Sequence, residues 1–407
     1  KKRFLSAGLA VVMAASLTAC GGSGSASTTT AAAGEAKAEG ESKAAESSAA
    51  ADGASFKIGG IGPVTGGAAV YGLAVQHGAE IAVKEINEAG GINGYPVEFQ
   101  FQDDEHDAEK SVNAYNTLKD WGMQALMGTV TSAPCIAVAD KTAADNMFQI
   151  TPSGSAVECA ANPNVYRVCY SDPAQGTASA KYIGEHKLAS KVAVIYDSSD
   201  VYSSGIYEKF AQEAPNQGIE VVDAEAFTAD SNKDFSTQLQ KAKESGAELV
   251  FLPIYYTEAS LILQQANTMG FAPQFFGCDG MDGILQVQNF DVKLAEGLML
   301  LTPFAADATD DLTVKFVKSF EDAYGETPIQ FAADAYDAMY IIKAAMEEAN
   351  VTPDMAAGDI CDAMEGAMTK IKVDGLTGTN MTWTEDGEPE KDPKAVQVVD
   401  GAYKAME

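Results

Sequence analysis

Two turns rich in hydroxyl groups and one acidic residue carry the side chains that could recognise a small molecule. Residues 128–134 (GTVTSAP) contain Ser132, and residues 151–155 (TPSGS) contain Ser153 and Ser155. Such turns offer hydroxyl and backbone N–H groups, which bind an anion without any cationic side chain. Asp279 lies further along, within GCDGMDG. A carboxylate facing these turns across a cleft would pair with an ammonium group, so the segments together predict a site for an amino-acid zwitterion.

The elements that must position these residues follow from the spacing of apolar positions, which alternates between strand-like and helix-like along most of the chain. Strand–helix pairs begin at residue 56 and restart at residue 191. The predicted strands are 56–61, 97–101, 125–127, 148–150, 192–196, 220–227, 249–253 and 274–277, and the predicted helices are 71–89, 108–121, 134–146, 204–217, 235–245 and 257–269. Two such runs predict an α/β fold of two doubly wound, Rossmann-like lobes with mainly parallel sheets.

In this fold, ligands bind beyond the carboxyl ends of the strands, and the cleft between two lobes is the natural site. Strand ends in the second lobe supply Tyr202, Tyr255 and Asp279. Ser132 is predicted to cap the helix that follows it, with Pro134 in the first turn. Taken singly, each residue has an ordinary alternative role in a cap, a turn or a core. Their joint occurrence at successive strand ends favours a binding site.

The N-terminal residues predict export and a lipid anchor. A basic start and an apolar run over 4–17 are typical of a secretory signal, and the run is shorter than the roughly 20 residues of a membrane span. The sequence LTAC, ending at Cys20, resembles the lipobox of bacterial lipoproteins. We therefore predict a signal peptide over 1–19, a lipidated Cys20 and a disordered tether over 20–55, which is poor in large apolar residues. An ordinary signal peptide with a coincidental cysteine is the alternative.

The net charge of −31 argues against nucleic acid or an anionic membrane surface as a partner.

Five cysteines follow Cys20, namely Cys135, Cys159, Cys169, Cys278 and Cys361. They form no CxxC pair, which argues against zinc. Outside the cell a disulfide can persist, and Cys159 with Cys169 is the favoured pair because they close a short loop. The odd number leaves a thiol free or in an intermolecular bridge.

Motifs of enzymes are missing from the sequence. The glycine-rich stretch 58–72 (IGGIGPVTGGAAVYG) has Thr65 where a dinucleotide-binding loop needs its third glycine, and Ala68 where a P-loop needs lysine. The chain lacks GxSxG and HExxH. His106 follows three acidic residues, but consecutive residues rarely converge on one ion. We therefore expect no enzyme activity, cofactor or metal.

From residue 56 to the C-terminus, the chain resembles the leucine/isoleucine/valine-type substrate-binding proteins of ABC transporters. The matching segments, in the family's order, are GPVTGGAAVYG, KEINEAGGINGYPVEF, QDDE, ITPSGS and KDFSTQLQKAKESGAELVF. The resemblance implies a type I periplasmic binding protein, with two lobes joined by a three-strand hinge and an amino acid clamped between them. We place lobe 1 at 56–172 plus 302–383 and lobe 2 at 173–301 plus 384–407.

The resemblance also assigns roles to residues. It places the carboxylate-binding serine at Ser132, its neighbouring turn at Ser153 and Ser155, the ammonium-binding acid at Asp279, and the surrounding aromatic residues at Tyr71, Tyr202 and Tyr255. Family members often have glutamate at the acidic position, and some carry a disulfide at the places held here by His106 and Thr131. That disulfide is therefore not expected.

The expected function is capture of an amino acid, of branched-chain type, and its delivery to an ABC permease driven by separate ATPase subunits. The expected protein is a monomer that reaches the membrane only through its lipid. The alternatives left open are a receptor for a short amide, urea or an aromatic acid, and a ligand-sensing module.

Overall fold

A computed structural model describes residues 53–391 and 393–406. The predicted signal peptide, Cys20 and the predicted tether up to residue 52 lie outside the described residues. The described part is built on two large β-sheets with helices packed against them, and it also contains a separate two-stranded hairpin.

The first sheet is wholly parallel, in the order β2-β1-β3-β4-β5. Its strands are β1 (Phe56–Gly62), β2 (Val97–Asp103), β3 (Ala125–Gly128), β4 (Gln149–Thr151) and β5 (Val165–Arg167). Parallel strands need long crossover connections, which are usually helical. Three helices supply most of them here: α1 (Ala69–Glu88), α2 (Ala108–Trp121) and α3 (Ser132–Asp145).

The second sheet has a parallel body and an antiparallel edge. Its parallel strands are β6 (Lys191–Asp197), β7 (Glu220–Phe227), β8 (Leu249–Leu252), β9 (Gln274–Gly277) and β10 (Met299–Thr302). After the hairpin β11 (Thr382–Trp383) and β12 (Pro389–Glu390) come the antiparallel strands β13 (Lys394–Val399) and β14 (Ala402–Ala405). The order is β14-β13-β10-β9-β8-β6-β7.

The remaining helices determine which parts of the chain pack together. They are α4 (Asp172–Glu185), α5 (Val201–Glu213), α6 (Ser236–Glu244), α7 (Tyr256–Thr268), α8 (Asp311–Tyr324), α9 (Gln330–Glu348) and α10 (Ala357–Met368). Helix α9 packs against α1. A side chain at Gly78 would lie 2.1 Å from the carbonyl oxygen of Ala332, so only glycine permits this close approach. Helix α4 follows the first sheet but packs on α5 of the second, and α9 follows the second sheet but packs on α1 of the first. The chain then returns to the second sheet at β13, so it passes between the two sheets three times.

The predicted α/β fold class is confirmed. Every predicted strand and helix is present, with ends shifted by up to four residues. The largest shift is at α5, where a short 3₁₀ turn at Ala214–Gln217 continues the helical spacing beyond the α-helix. Strand β5, helix α4 and the elements after residue 277 were not predicted.

Two local predictions are wrong. The N-cap of α3 is Thr131, and Ser132 is already the first helical residue. All five cysteines of the described part are free, so Cys159 and Cys169 form no disulfide. The 3₁₀ turn Val157–Ala160 points Cys159 toward α3, where it packs near Cys135 and its thiol donates to the carbonyl oxygen of Ser132 over 3.6 Å.

Across residues 53–391 and 393–406, none of the helices combines the length and the apolar character needed to cross a membrane.

Candidate functional site

The structure brings all seven predicted site residues together around one cavity, which has a volume of about 220 Å³ when its opening to solvent is included. The cavity lies where the carboxyl ends of the two parallel sheets meet. Ser132, Ser153 and Ser155 approach it from the first sheet, and Tyr202, Tyr255 and Asp279 from the second. The lining is completed by Tyr71, Val130, Thr131, Gly280 and Phe331.

Ser132 lines the cavity at the start of α3. Its Oγ accepts from the backbone N–H groups of Ser155, over 3.3 Å, and Ala156, over 3.2 Å. Because both bonds use the oxygen as acceptor, the hydroxyl proton remains to donate to an anion. The first turn of α3 adds backbone N–H groups without intrahelical partners and the positive end of the helix dipole. This corner can therefore hold a carboxylate.

The turn at 151–156 shapes this corner and offers fewer free N–H groups than the sequence suggests. The N–H of Gly154 donates to Thr151 Oγ1 over 2.7 Å, while those of Ser155 and Ala156 are taken by Ser132. Ser153 Oγ donates to the carbonyl oxygen of Val130 over 2.7 Å. The turn is thus bonded to the start of α3, and the Ser132 hydroxyl, which only accepts in these bonds, keeps its proton available.

Asp279 is the anionic group on the opposite side and is 5% exposed. Its Oδ1 accepts from the Tyr202 hydroxyl and from the N–H of Gly280, each over 2.7 Å, and its Oδ2 accepts from Gln175 Nε2 over 2.9 Å. Burial raises the pKa of Asp279 to about 6, although these hydrogen bonds favour the ionised form. At neutral pH the cavity therefore contains a buried carboxylate held in a fixed orientation.

Aromatic rings form the walls between these two sides. Tyr202 stacks on Tyr255 with ring centroids 4.8 Å apart, and Tyr71 stacks on Phe331 at 4.2 Å. The Tyr71 hydroxyl donates to the carbonyl oxygen of Gly280 and accepts from the N–H of Tyr256 over 3.2 Å. These bonds connect α1 with the segments that follow β8 and β9, so Tyr71 joins the two sides of the cleft.

Gly280 must be glycine for this arrangement to exist. A side chain there would lie 2.6 Å from the Tyr202 hydroxyl, which binds both Asp279 and the Gly280 N–H. The residues lining the cavity include no lysine, arginine, histidine or cysteine. The arrangement can therefore hold a carboxylate at one end, a cation at the other and an apolar group against the rings.

Comparison with known protein families agrees with this geometry. The model of a family described as "Periplasmic binding protein" matches residues 55–402. The chain belongs to the periplasmic binding protein family.

Individual relatives are similar over most of this periplasmic binding protein. A Leu/Ile/Val-binding protein homologue from Brucella melitensis is 32% identical over 306 residues, which cover 75% of this chain and 82% of the relative. The leucine-, isoleucine-, valine-, threonine- and alanine-binding protein of Pseudomonas aeruginosa is 30% identical over 297 residues, covering 72% and 79%. The structure is also similar to that of a branched-chain amino acid transporter substrate-binding protein from Streptococcus pneumoniae in complex with isoleucine, with a TM-score of 0.78, 26% identity and coverage of 86% and 99%.

Two residues that support the site were missed by sequence reasoning. Gln175, on α4, donates to Asp279 Oδ2 and accepts from the Asp279 N–H through Oε1 over 3.2 Å. Arg167 is fully buried at the end of β5, and its guanidinium donates to four successive carbonyl oxygens of residues 154–157. A charged residue within the apolar strand VYRVC was a signal for Arg167, whereas nothing local distinguished Gln175.

His106 and Thr131 are close to each other in this periplasmic binding protein. His106 Nδ1 lies 2.8 Å from Thr131 Oγ1, and its ring meets Tyr255 edge to face at 5.6 Å. Burial lowers the pKa of His106, so the ring is neutral at pH 7. A hydrogen bond therefore joins the loop after β2 to the residue that precedes Ser132.

Proposed function

We propose that this protein captures a free amino acid with an aliphatic, branched side chain and delivers it to an ABC permease outside the cytoplasm. The observation that carries the proposal is the pairing of two opposite sides in one small cavity. The buried Asp279 carboxylate lies on one side, and the Ser132 hydroxyl at the start of α3 lies on the other. A zwitterion satisfies both, because its ammonium pairs with Asp279 and its carboxylate accepts from Ser132.

The side chain of the amino acid lies against Tyr71, Phe331 and Val130, which are buried and apolar in character. Burial of an aliphatic side chain against such walls contributes about 1.5–3 kcal/mol. Relatives whose names state that they bind leucine, isoleucine and valine support this assignment.

Ligand contacts on both sides of the cleft favour a closed form, because they are complete only when the two predicted lobes approach each other. The closed protein then docks on the permease, which separate ATPase subunits drive.

Lipidation of Cys20 keeps the protein at the membrane. A Cys20→Ser variant of the exported chain is therefore expected to lose incorporation of labelled palmitate.

The binding proposal is tested by calorimetry with leucine and two analogues that each lack one charge, 4-methylpentanoate and 3-methylbutylamine. We expect leucine, isoleucine and valine to bind, and removal of either charge to weaken binding about a hundredfold or more, since a buried partner is left unpaired. Acetamide, urea and benzoate complete the panel. Binding of benzoate or an amide with higher affinity than leucine would overturn the proposal in favour of that ligand class.

The same experiment is repeated with Asp279→Asn, which keeps the shape of the side chain and removes its charge. Affinity for leucine is expected to fall about a hundredfold or more, whereas Glu220→Gln, an exposed position at the start of β7, leaves it unchanged. Unaltered affinity in Asp279→Asn would exclude Asp279 as the ammonium partner.

A further inference from the structure

The glycine-rich turn between β1 and α1, which matches neither a dinucleotide-binding loop nor a P-loop, is held in a fixed shape. Asp103, at the end of β2, accepts from the Val64 N–H over 2.9 Å and from the Thr65 hydroxyl over 2.5 Å. A side chain at Gly72 would lie 1.8 Å from the carbonyl oxygen of Pro63, so the turn also packs closely on the first turn of α1. The turn is therefore fixed to its own side of the cleft.

This turn and the start of α1 bond directly to helix α7 on the opposite side of the cleft. The Val70 N–H donates to the Tyr256 hydroxyl over 3.2 Å, and the Thr257 hydroxyl donates to the carbonyl oxygen of Gly67 over 3.0 Å. We call the contact of Gly67 and Val70 with Tyr256 and Thr257 the cleft seam. Since α1 follows a strand of the first sheet and α7 a strand of the second, these bonds form only when the cleft is closed.

The cleft seam lies between the amino-acid cavity and solvent. An outer cavity, with a volume of about 1,020 Å³ when its opening to solvent is included, is lined by Gly67 and Thr257 among others. Among the described residues, its lining and that of the amino-acid cavity share Tyr255 alone. The other residues that line the amino-acid cavity are buried. The seam and Tyr255 thus separate a bound amino acid from the outer cavity.

We propose that Tyr256 and Thr257 are positioning residues that hold the cleft closed over the amino acid and so determine how long it stays bound. The assignment rests on the proposed function, because it concerns release from that same site. None of the four residues of the cleft seam lines the amino-acid cavity. Their bonds therefore stabilise the closed form to the same extent for every ligand, and loss of one bond should raise the dissociation rates of all amino acids by the same factor.

The experiment follows release of radiolabelled leucine, isoleucine or valine from the exported protein into an excess of the unlabelled amino acid. Tyr256→Phe removes the acceptor of the Val70 N–H and keeps the ring edge to face on Tyr71, at 4.7 Å between centroids. Release of all three amino acids should become about tenfold faster, because the closed form then leaves an N–H group unpaired. Thr257→Val removes a more exposed bond and should accelerate release about threefold.

Two control variants make the same chemical changes away from the cleft seam. Thr268→Val removes a hydroxyl at the other end of α7, which donates to the carbonyl oxygen of Gln264 over 2.9 Å. Tyr207→Phe removes the hydroxyl of a ring that stacks on Tyr196. Both variants should release leucine at the rate of the unaltered protein. Urea denaturation of every variant identifies any that is not folded.

A measurement without ligand separates the role of the cleft seam from the proposed function. Small-angle X-ray scattering of the ligand-free protein should give a larger radius of gyration for the double variant Tyr256→Phe/Thr257→Val than for the unaltered protein, because the open form gains population. If the unaltered protein binds no amino acid, the proposed function fails and the scattering alone decides the role of the seam. An unchanged radius would then overturn that role.

If the unaltered protein binds leucine, the dissociation rates decide. Uniformly faster release from Tyr256→Phe and Thr257→Val, with both controls unchanged, supports the role of the cleft seam. The proposal is overturned if the folded double variant releases leucine at the unaltered rate, if the three amino acids are affected by widely different factors, or if the controls accelerate release equally.

Discussion

The hydroxyl of Tyr202 donates to Asp279 Oδ1 over 2.7 Å, and the Tyr202 hydroxyl oxygen accepts from the N–H of Gly280 over 2.9 Å. Tyr202 lies in the first turn of α5, which follows β6, and Asp279 follows β9, so the bond joins segments after two strands that β8 separates in the second sheet. It holds the carboxylate in one orientation before a ligand arrives. Preorganisation of this kind lowers the entropic cost of binding.

Tyr202→Phe removes this hydrogen bond and keeps the ring stacked on Tyr255. Leucine affinity is expected to fall about tenfold, because the loss of one hydrogen bond to a charged group costs about 1.5–3 kcal/mol and the Gly280 N–H still supports the carboxylate. Calorimetry gives the change directly. The control is Tyr207→Phe, since Tyr207 stacks on Tyr196 outside the cavity, and equal loss of affinity in both variants would contradict a specific role for Tyr202.

The pH dependence of leucine binding follows from the raised pKa of Asp279. Burial places this pKa at about 6, so the ligand-free carboxyl is ionised above pH 6 and protonated below it. An ammonium ligand requires the ionised form. Affinity should therefore be constant from pH 8 to 7 and fall about tenfold per pH unit well below 6.

Calorimetry at pH 7.5 and pH 5.0 checks this expectation, with Asp279→Asn as the control that lacks the titrating group. Asp172 and Asp200 lie near the site, and burial also raises their pKa values. If the leucine affinity of Asp279→Asn still falls as the pH is lowered, that pH dependence would be assigned to Asp172 or Asp200. The same affinity at both pH values in the unaltered protein would refute the assignment to Asp279.

Arg167 positions the turn that surrounds Ser132, although it does not line the cavity. Its two terminal nitrogens donate to the carbonyl oxygens of residues 154–157, and its Nε lies 3.2 Å from Glu388 Oε1. Arg167→Met leaves four carbonyl groups and Glu388 without this donor. We expect a loss of about 3–5 kcal/mol in the free energy of unfolding, measured by urea denaturation.

Glu388→Gln separates the two kinds of contact, because it removes the ion pair and keeps the four hydrogen bonds to the turn. Since the Glu388 side chain is 36% exposed and the four hydrogen bonds of Arg167 remain, its loss should cost less than Arg167→Met does. Equal destabilisation by both variants would mean that the ion pair, and not the support of the turn, is what Arg167 contributes.

The sequence predicted the strand ends well because a run of apolar residues and the turn after it are local features. Ser132, Tyr202 and Asp279, which line the cavity, were singled out for that reason. Gln175 was not, because its role depends on α4 meeting the segment after β9, and residues 104 positions apart in sequence leave no local pattern. Ser132 was taken for a cap because sequence spacing cannot show that its Oγ accepts from Ser155 and Ala156 across the turn.

Tyr71 has two separable contributions, one from its hydroxyl and one from its ring. Tyr71→Phe removes the bonds to Gly280 and Tyr256 that connect the two sides of the cleft, and it keeps the stacking on Phe331. We expect leucine, isoleucine and valine to lose affinity about equally, by about tenfold, because two hydrogen bonds that favour the closed form are lost.

Tyr71→Ala also removes the ring and should change the order of preference among amino acids. Calorimetry with the same panel compares the two variants. If Tyr71→Ala weakened every amino acid by the same factor, the ring would not determine selectivity.

Asp104 provides a test of stability that is independent of ligand binding. It is fully buried, its Oδ1 accepts from the N–H of His106 over 2.9 Å, and its Oδ2 has no partner. Burial raises the pKa of Asp104 to about 7, above the value of about 3.9 in an unfolded chain. The native state therefore binds this proton more tightly than the unfolded state, and Asp104 increasingly destabilises the fold as the pH rises from about 4 to 7.

Asp104→Asn should thus stabilise the protein at pH 8, because the amide oxygen still accepts from His106 while the buried charge is removed. A shift of one pKa unit corresponds to about 1.4 kcal/mol. After allowance for the unpaired amide NH₂ group, we expect the free energy of unfolding to rise by about 2 kcal/mol. The gain should shrink toward pH 4, where Asp104 is protonated in both states. Urea denaturation at pH 8, 6 and 4.5 measures it, with Asp120→Asn on the exposed face of α2 as the control. A change that is the same at all three pH values would show that Asp104 acts through its hydrogen bond and not through its charge.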